Sequence, residues 1–310
     1  MTRRLASIDL GTNTVRLLVV ETGAAGDWQV LEQDQMVTRL GEGLTVQGRL
    51  GEISMARTHA VVAAYLARAR RAGAAEVRIV ATSAVREATN GADFCAALEA
   101  IGAPLRVVSG EEEARLTVLG ILRGLGSPKG SLLAFDIGGG STEFVLACDG
   151  RVTASVSLRL GVVALAEQYP FPHAVEWSRY HEMEAGVRGR LREELPPAIR
   201  QAGQADLVGT AGTVTTLAAL DLGLTHYDGA RVHGHRLDRS VVERWRDRLG
   251  ALSVEERAGL PCLEPGRADL IVPGVAITLA ALEVTGAGAV LVSDWGLREG
   301  IMAEAVEGNR

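Results

Sequence analysis

Short apolar runs separated by polar or glycine-rich breaks recur along the chain, and their lengths predict strands. They fall at 5–10 (LASIDL), 15–21 (VRLLVVE), 77–85 (VRIVATSAV), 105–110 (LRVVSG), 132–138 (LLAFDIG), 142–148 (TEFVLAC), 152–158 (VTASVSL), 206–213 (DLVGTAGT) and 290–296 (VLVSDWG). Helical spacing appears between them. The stretch 54–73 (SMARTHAVVAAYLARARRAG) places apolar residues on one face, arginines on the other and a glycine at its end. The stretches 111–125 and 241–252 read the same way. Strand pairs interleaved with helices predict an α/β protein with mixed sheets flanked by helices. The glycine, proline and serine cluster at 124–131 (GLGSPKGS) predicts a boundary between domains 1–125 and 126–310. A helix at about 298–310 is expected to pack back on the first domain.

One repeat changes this picture. Asp9-Leu-Gly-Thr-Asn-Thr precedes VRLLVVE, and Asp136-Ile-Gly-Gly-Gly-Ser-Thr precedes EFVLAC, starting 127 residues later. Either turn alone is an ordinary hairpin. Two turns, each entered by an aspartate, favour a duplicated fold with a cleft between the copies. Successive backbone N–H groups in such turns form anion-binding concavities. The candidate phosphate-binding residues are therefore Gly11, Thr12, Asn13 and Thr14, and Gly138, Gly139, Gly140, Ser141 and Thr142. Asp9 and Asp136 would repel phosphate directly, so a bridging cation is expected. Mg²⁺, held by one or two carboxylates with phosphate and water, is the natural one.

Composition narrows the class. A net charge of −6 gives no global attraction for nucleic acid, so no nucleic-acid partner is expected. No run approaches the roughly 18 apolar residues of a membrane span. The start, MTRRLASIDLGTN, has no long apolar segment of the kind a signal peptide carries, so a cytoplasmic protein is expected. Cys95, Cys148 and Cys262 are odd in number without a CxxC, which reads as reduced thiols. His233 and His235 read as loop residues rather than a zinc pair.

Seven motifs then stand in order: DLGTNTVRL (9–17), TSAVREA (82–88), SGEEEARL (109–116), DIGGGSTE (136–143), GTAGTVTTLA (209–218), RADLIVPGVAI (267–277) and VSDWGLREG (292–300). Over nearly the whole chain they resemble the exopolyphosphatase and guanosine pentaphosphate phosphohydrolase (Ppx/GppA) family, within the actin, sugar kinase and heat-shock chaperone superfamily. The resemblance implies two ribonuclease-H-like (actin-like) domains with the active site in the interdomain cleft. It implies Glu113 as the catalytic base, whereas Glu111 and Glu112 read as solvated charges in the first turn of a helix. Glu143 would position the water or the metal, Asp136 would ligate the metal, and Asp9 would do so through water. Arg86 would clamp the terminal phosphate, and Gly209, Gly212 and Thr213, which match the superfamily's second-domain glycine turn, would bind phosphate or line the cleft. Arg267 and the arginine face of 54–73 are candidates for extending a basic path, although a solvated surface is the plainer reading of that helix face.

The activity implied is release of orthophosphate from the end of inorganic polyphosphate. Guanosine pentaphosphate is the alternative substrate, Mg²⁺ the expected cation with Mn²⁺ as alternative, and a homodimer the expected assembly. Longer relatives carry a further helical region. This chain, with no His-Asp dyad after residue 235, resembles the short two-domain form. A kinase or ATPase, and a non-catalytic sensor, would use the same turns and remain as rival readings.

Overall fold

The computed structural model describes residues 2–23, 26–126, 130–203 and 205–308. Two compact units emerge: Met1–Gly120 together with Gly296–Arg310, and Ile121–Trp295. Residues 127–129 of the glycine-rich punctuation, and 309–310 of the expected C-terminal helix, lie outside the described residues.

The first unit holds five strands, β1 (Arg3–Leu10), β2 (Thr14–Thr22), β3 (Trp28–Val37), β4 (Glu76–Ala81) and β5 (Leu105–Val107), in the order β3-β2-β1-β4-β5. β1, β2 and β3 pair antiparallel, whereas β4 and β5 extend the sheet in parallel. Alternation along β1 sends Ala6, Ile8 and Leu10 to one face. There they join Val62, Tyr65, Leu66 and Ala69 of the helix Glu52–Arg71 in one core. Leu5 points to the other face and packs with Leu18, Val20, Met302, Ala305 and Val306, so the helix Leu297–Glu307 covers that side. Ser7 and Asp9 share this second face.

The second unit holds β6 (Ser131–Ile137), β7 (Thr142–Cys148), β8 (Arg151–Leu158), β9 (Asp206–Thr210), β10 (Arg236–Asp238) and β11 (Ala289–Val292), in the order β10-β11-β9-β6-β7-β8. From its far edge this reads β8-β7-β6-β9-β11, which repeats the order and the strand directions of the first sheet. β10 adds one antiparallel edge strand. The main core gathers Leu133, Phe135 and Ile137 on one face of β6. Asp136 therefore faces away from that core.

Several apolar runs end as strands sooner than their composition predicts. The run 77–85 leaves the sheet at Ala81 and becomes the helix Ser83–Glu87, 206–213 becomes helical at Ala211, and 290–296 ends as a strand at Val292. In the first two the segment that follows is also largely buried, so hydrophobicity does not mark the boundary, whereas Ser293 and Asp294 follow the third strand. The helices expected at 54–73, 111–125 and 241–252 are Glu52–Arg71, Gly110–Leu125 and Arg239–Gly250. Among the described residues no helix is long and apolar enough to cross a membrane.

Candidate active site

The two aspartate-led hairpins have the same build. In β1–β2, Asp9 lies opposite Arg16 and Leu10 opposite Val15; in β6–β7, Asp136 lies opposite Glu143 and Ile137 opposite Thr142. Each turn closes with one short bond, Gly11 N–H to the Thr14 carbonyl (3.0 Å) and Gly138 N–H to the Ser141 carbonyl (2.9 Å).

In each unit the segment after the third strand returns to tie its turn down. Thr38 and Arg39 N–H groups donate to the Asn13 carbonyl, and Gly41 N–H donates to the Thr12 carbonyl, all at 2.9 Å. In the second unit, Val162 N–H donates to the Gly138 carbonyl (3.1 Å) and Val163 N–H to the Gly139 carbonyl (2.9 Å). A trans peptide points its C=O and the next N–H in opposite directions. Pinning the carbonyls of Thr12 and Gly139 therefore turns the N–H groups of Asn13 and Gly140 away from the tie. Two glycines make this approach possible. A Cβ on Gly41 would stand 2.3 Å from Thr12 Cγ2, and one on Gly161 would stand 2.1 Å from the Gly139 carbonyl oxygen.

Strand register sets the side chains in transverse rows. In the second unit the row reads Ser157, Glu143, Asp136, Thr210 across β8, β7, β6 and β9. Directly paired residues project to the same face with Cβ atoms about 4.5–5.5 Å apart. Asp136 and Glu143 are therefore neighbouring carboxylates at the mouth of the glycine turn. Glu143 is 2% exposed, and the Ser157 hydroxyl donates to its Oε1 at 2.7 Å. The matching row of the first unit is Gln35, Arg16, Asp9, Val80. Asp9 is buried, but a cation stands where the second copy has Glu143.

Two adjacent carboxylates suit a hard cation that keeps waters and takes its remaining ligands from phosphate. Among the described residues no group of three or more His, Cys, Asp or Glu gathers as a cage. The paired carboxylate oxygens are of the kind a hard divalent cation takes rather than a soft one.

The acidic stretch 111–113 is sorted by burial. Ser109 caps the helix Gly110–Leu125, its hydroxyl accepting from Glu112 N–H at 3.1 Å. Glu111 is exposed, and Glu112 pairs with Arg106 at 3.0 Å near the surface. Glu113 alone of the three is buried, and its Oε2 lies 3.0 Å from Arg86 Nη1. The same Nη1 donates to the Val108 carbonyl at 2.8 Å. Glu87, the neighbour that could have taken Arg86, accepts from Ser83 instead. Leu116, one turn beyond Glu113, packs with Val80, the residue paired with Asp9. Within the first unit Glu113 and Asp9 therefore belong to one face of the sheet.

The remaining sequence-derived candidates have other neighbours. Gly209 lies inside β9, where a Cβ would come within 2.8 Å of both the Phe135 ring and Val290. Thr213 Oγ1 stands where a Cβ on Gly274 would fall. Ala211 carries the chain from β9 into the helix Ala211–Asp221 with a left-handed φ of 68°. The Arg267 guanidinium lies over Gly212 and pairs with Glu264 at 3.0 Å. The arginine face of Glu52–Arg71 is engaged rather than open. Arg68 pairs with Glu32 and Asp34 of β3, and Arg57 with Glu42 and the Thr38 carbonyl. His235 pairs with Asp221 at 2.9 Å, while His233 Nδ1 accepts from Asp294 N–H, so the two histidines do not act together. Ser157, Arg16, Gly41 and Gly161 were missed by sequence reasoning. All four matter through strand register or return contacts, which a linear pattern does not carry.

A family model, the Ppx/GppA phosphatase family, matches residues 18–308. The chain belongs to that family. Exopolyphosphatase 2 of Mycobacterium tuberculosis (strain CDC 1551 / Oshkosh) is 35% identical over 96% of this chain and 97% of its own length. Exopolyphosphatase 1 of Mycobacterium bovis is 30% identical over 98% of this chain and 88% of its own. Among solved structures, the Aquifex aeolicus Ppx/GppA family member superposes with a TM-score of 0.85 at 30% identity, covering 100% of this chain and 99% of that one. An exopolyphosphatase from Cytophaga hutchinsonii reaches a TM-score of 0.91 at 24% identity over 99% and 98%, which bears on the fold. The repeated sheet order and these neighbours establish the ribonuclease-H-like, actin-like fold of each sheet.

Proposed function

We propose that the protein is an exopolyphosphatase that cleaves the terminal phosphate from inorganic polyphosphate and releases orthophosphate. The observation that carries this reading is the tied glycine turn 138–142 set beside the paired carboxylates Asp136 and Glu143. The names of the family relatives support the substrate.

Phosphoryl transfer to water needs a grip on the phosphates, relief of their charge and an oriented nucleophile. The outward N–H groups of the glycine turns supply the grip, as fixed dipoles that need not reorganise during reaction. Asp136 and Glu143 are the residues that would hold Mg²⁺, or Mn²⁺ in its place; when bound, the ion offsets negative charge on the phosphoryl oxygens. Glu113 is the base. The water oxygen bonds to the terminal phosphorus as the bridging P–O bond breaks, the shortened chain departs with the bridging oxygen, and the water proton passes to Glu113.

Glu113, held by Arg86, orients the water and accepts its proton. Arg86 has five N–H donors, so engaging Nη1 with Glu113 and Val108 leaves Nε and Nη2 to grip phosphate.

The test is phosphate release from polyphosphates of defined length and from guanosine pentaphosphate, assayed side by side with Mg²⁺. Orthophosphate appearing one unit at a time from polyphosphate is the expected result. Preference for the pentaphosphate would move the substrate to the nucleotide. Binding without release would mean a sensor, and transfer to an added acceptor without release would mean a kinase.

A further inference from the structure

We infer that Ser157 is a positioning residue that fixes the Glu143 carboxylate for hydrolysis, an inference that rests on the function proposed above. Ser157 stands directly across from Glu143 on β8, and its hydroxyl donates to Glu143 Oε1 at 2.7 Å. Glu143 is 2% exposed. An ionised carboxylate that far from water is tolerated only when hydrogen bonds replace its hydration. A hydroxyl has one proton to give, and here it is given to the carboxylate. Bonds of this charge-assisted kind are shorter and stronger than neutral ones and set direction as well as energy.

The platform under Ser157 is itself fixed. Leu160 N–H bonds back to the Leu158 carbonyl at 2.7 Å, and the Thr142 hydroxyl, on the residue before Glu143, donates to the Leu160 carbonyl. The end of β8 is thus latched to the strand that carries Glu143. The first unit provides the contrast. The place of Ser157 is taken there by Gln35, opposite Arg16, where no carboxylate needs a donor. The serine accompanies the acidic hairpin and is absent from the basic one.

The test compares Ser157→Ala with Ser157→Thr, which keeps the hydroxyl on a β-branched side chain suited to a strand. Each is also made in a Glu143→Gln background, with thermal unfolding measured alongside turnover. The alanine variant should lose about tenfold in kcat with KM changed by no more than about twofold. Threonine should restore most of the rate. In the Glu143→Gln background, Ser157→Ala should add little, because its effect runs through that carboxylate.

Wild-type turnover in Ser157→Ala would overturn the inference while leaving the functional reading in place. Losses that multiply in the double variant would do the same. No phosphate release by the wild-type protein from either substrate would overturn the functional reading, and this inference with it.

Discussion

Replacing Gly161 with alanine tests whether the return segment sets the phosphate turn. The glycine has an extended backbone, φ −120° and ψ 161°, which alanine adopts freely, so the conflict is one of space alone. The new Cβ would fall 2.1 Å from the Gly139 carbonyl oxygen, 2.4 Å from its carbon and 2.5 Å from the Gly140 carbonyl carbon. Real Cβ atoms essentially never come closer than 3.0 Å to such neighbours, so turn and return segment must part by about 0.9 Å. Both sides of the contact are backbone, so no side chain can rotate away. A misplacement of about 1 Å can reduce turnover on the order of 10²-fold. The overpacking itself costs about 1–3 kcal/mol of stability. The assay is kcat and KM for phosphate release, with denaturant unfolding to separate the two effects. Gly186→Ala is the matched control, because it lies exposed inside the helix Trp177–Glu194 with nothing within 4 Å of its would-be Cβ. That variant should gain about 0.5–1 kcal/mol and keep its turnover. Wild-type turnover in Gly161→Ala would refute the idea that this contact places the turn.

Glu113→Gln should reduce turnover by about 10²-fold or more while substrate binding holds, whereas Glu112→Gln, half-buried against Arg106, should do far less. Equal losses in the two variants, with binding followed by calorimetry, would place the base elsewhere. Chelation of divalent cations should abolish phosphate release, because Asp136 and Glu143 otherwise crowd the phosphate with charge; undiminished release in excess EDTA would contradict this. Glu304 is expected to give an acid-labile contribution to stability. Burial alone would raise its carboxyl pKa, but Arg115 and Arg106 reverse the sign and hold it below the usual range. A carboxyl depressed in the folded state stabilises above the unfolded value and loses that contribution as pH falls through the folded one. The melting temperature of the wild type should therefore fall more steeply than that of Glu304→Gln between about pH 5 and pH 3, as read by thermal scans.

The aspartate-led hairpins were legible because a strand of alternating apolar residues, an aspartate and glycines state their geometry locally. The spacing of 127 residues reappears in the register itself, from Asp9 opposite Arg16 to Asp136 opposite Glu143. β3 escaped notice because WQVLEQDQMV is an edge strand with little burial on either face, so it shows no alternation. The helix Ile271–Thr285 is buried on nearly all sides, and an apolar stretch without a polar face carries no 3.6-residue period. Glu113 could be singled out from Glu111 and Glu112 only through the family resemblance, since burial follows from tertiary packing. Ser157 had no local signal: a serine in VTASVSL reads as an ordinary strand residue until register sets it against Glu143.

The first unit is interrupted in the chain, with Gly296–Arg310 completing what Met1–Gly120 begins. This fixes an order of events during synthesis. The strands carrying Leu5, Leu18 and Val20 are made first, yet Met302, Ala305 and Val306, which cover them, are made last. At typical elongation rates roughly 10–40 s pass between the end of β5 and the emergence of the helix Leu297–Glu307. For that interval the apolar face of a nascent sheet has no native cover. The intervening Ile121–Trp295 is continuous and has its own core, so it can fold while the earlier sheet still waits for its last helix. The time spent waiting, rather than the final stability, is then the period in which this protein is most open to aggregation or chaperone capture.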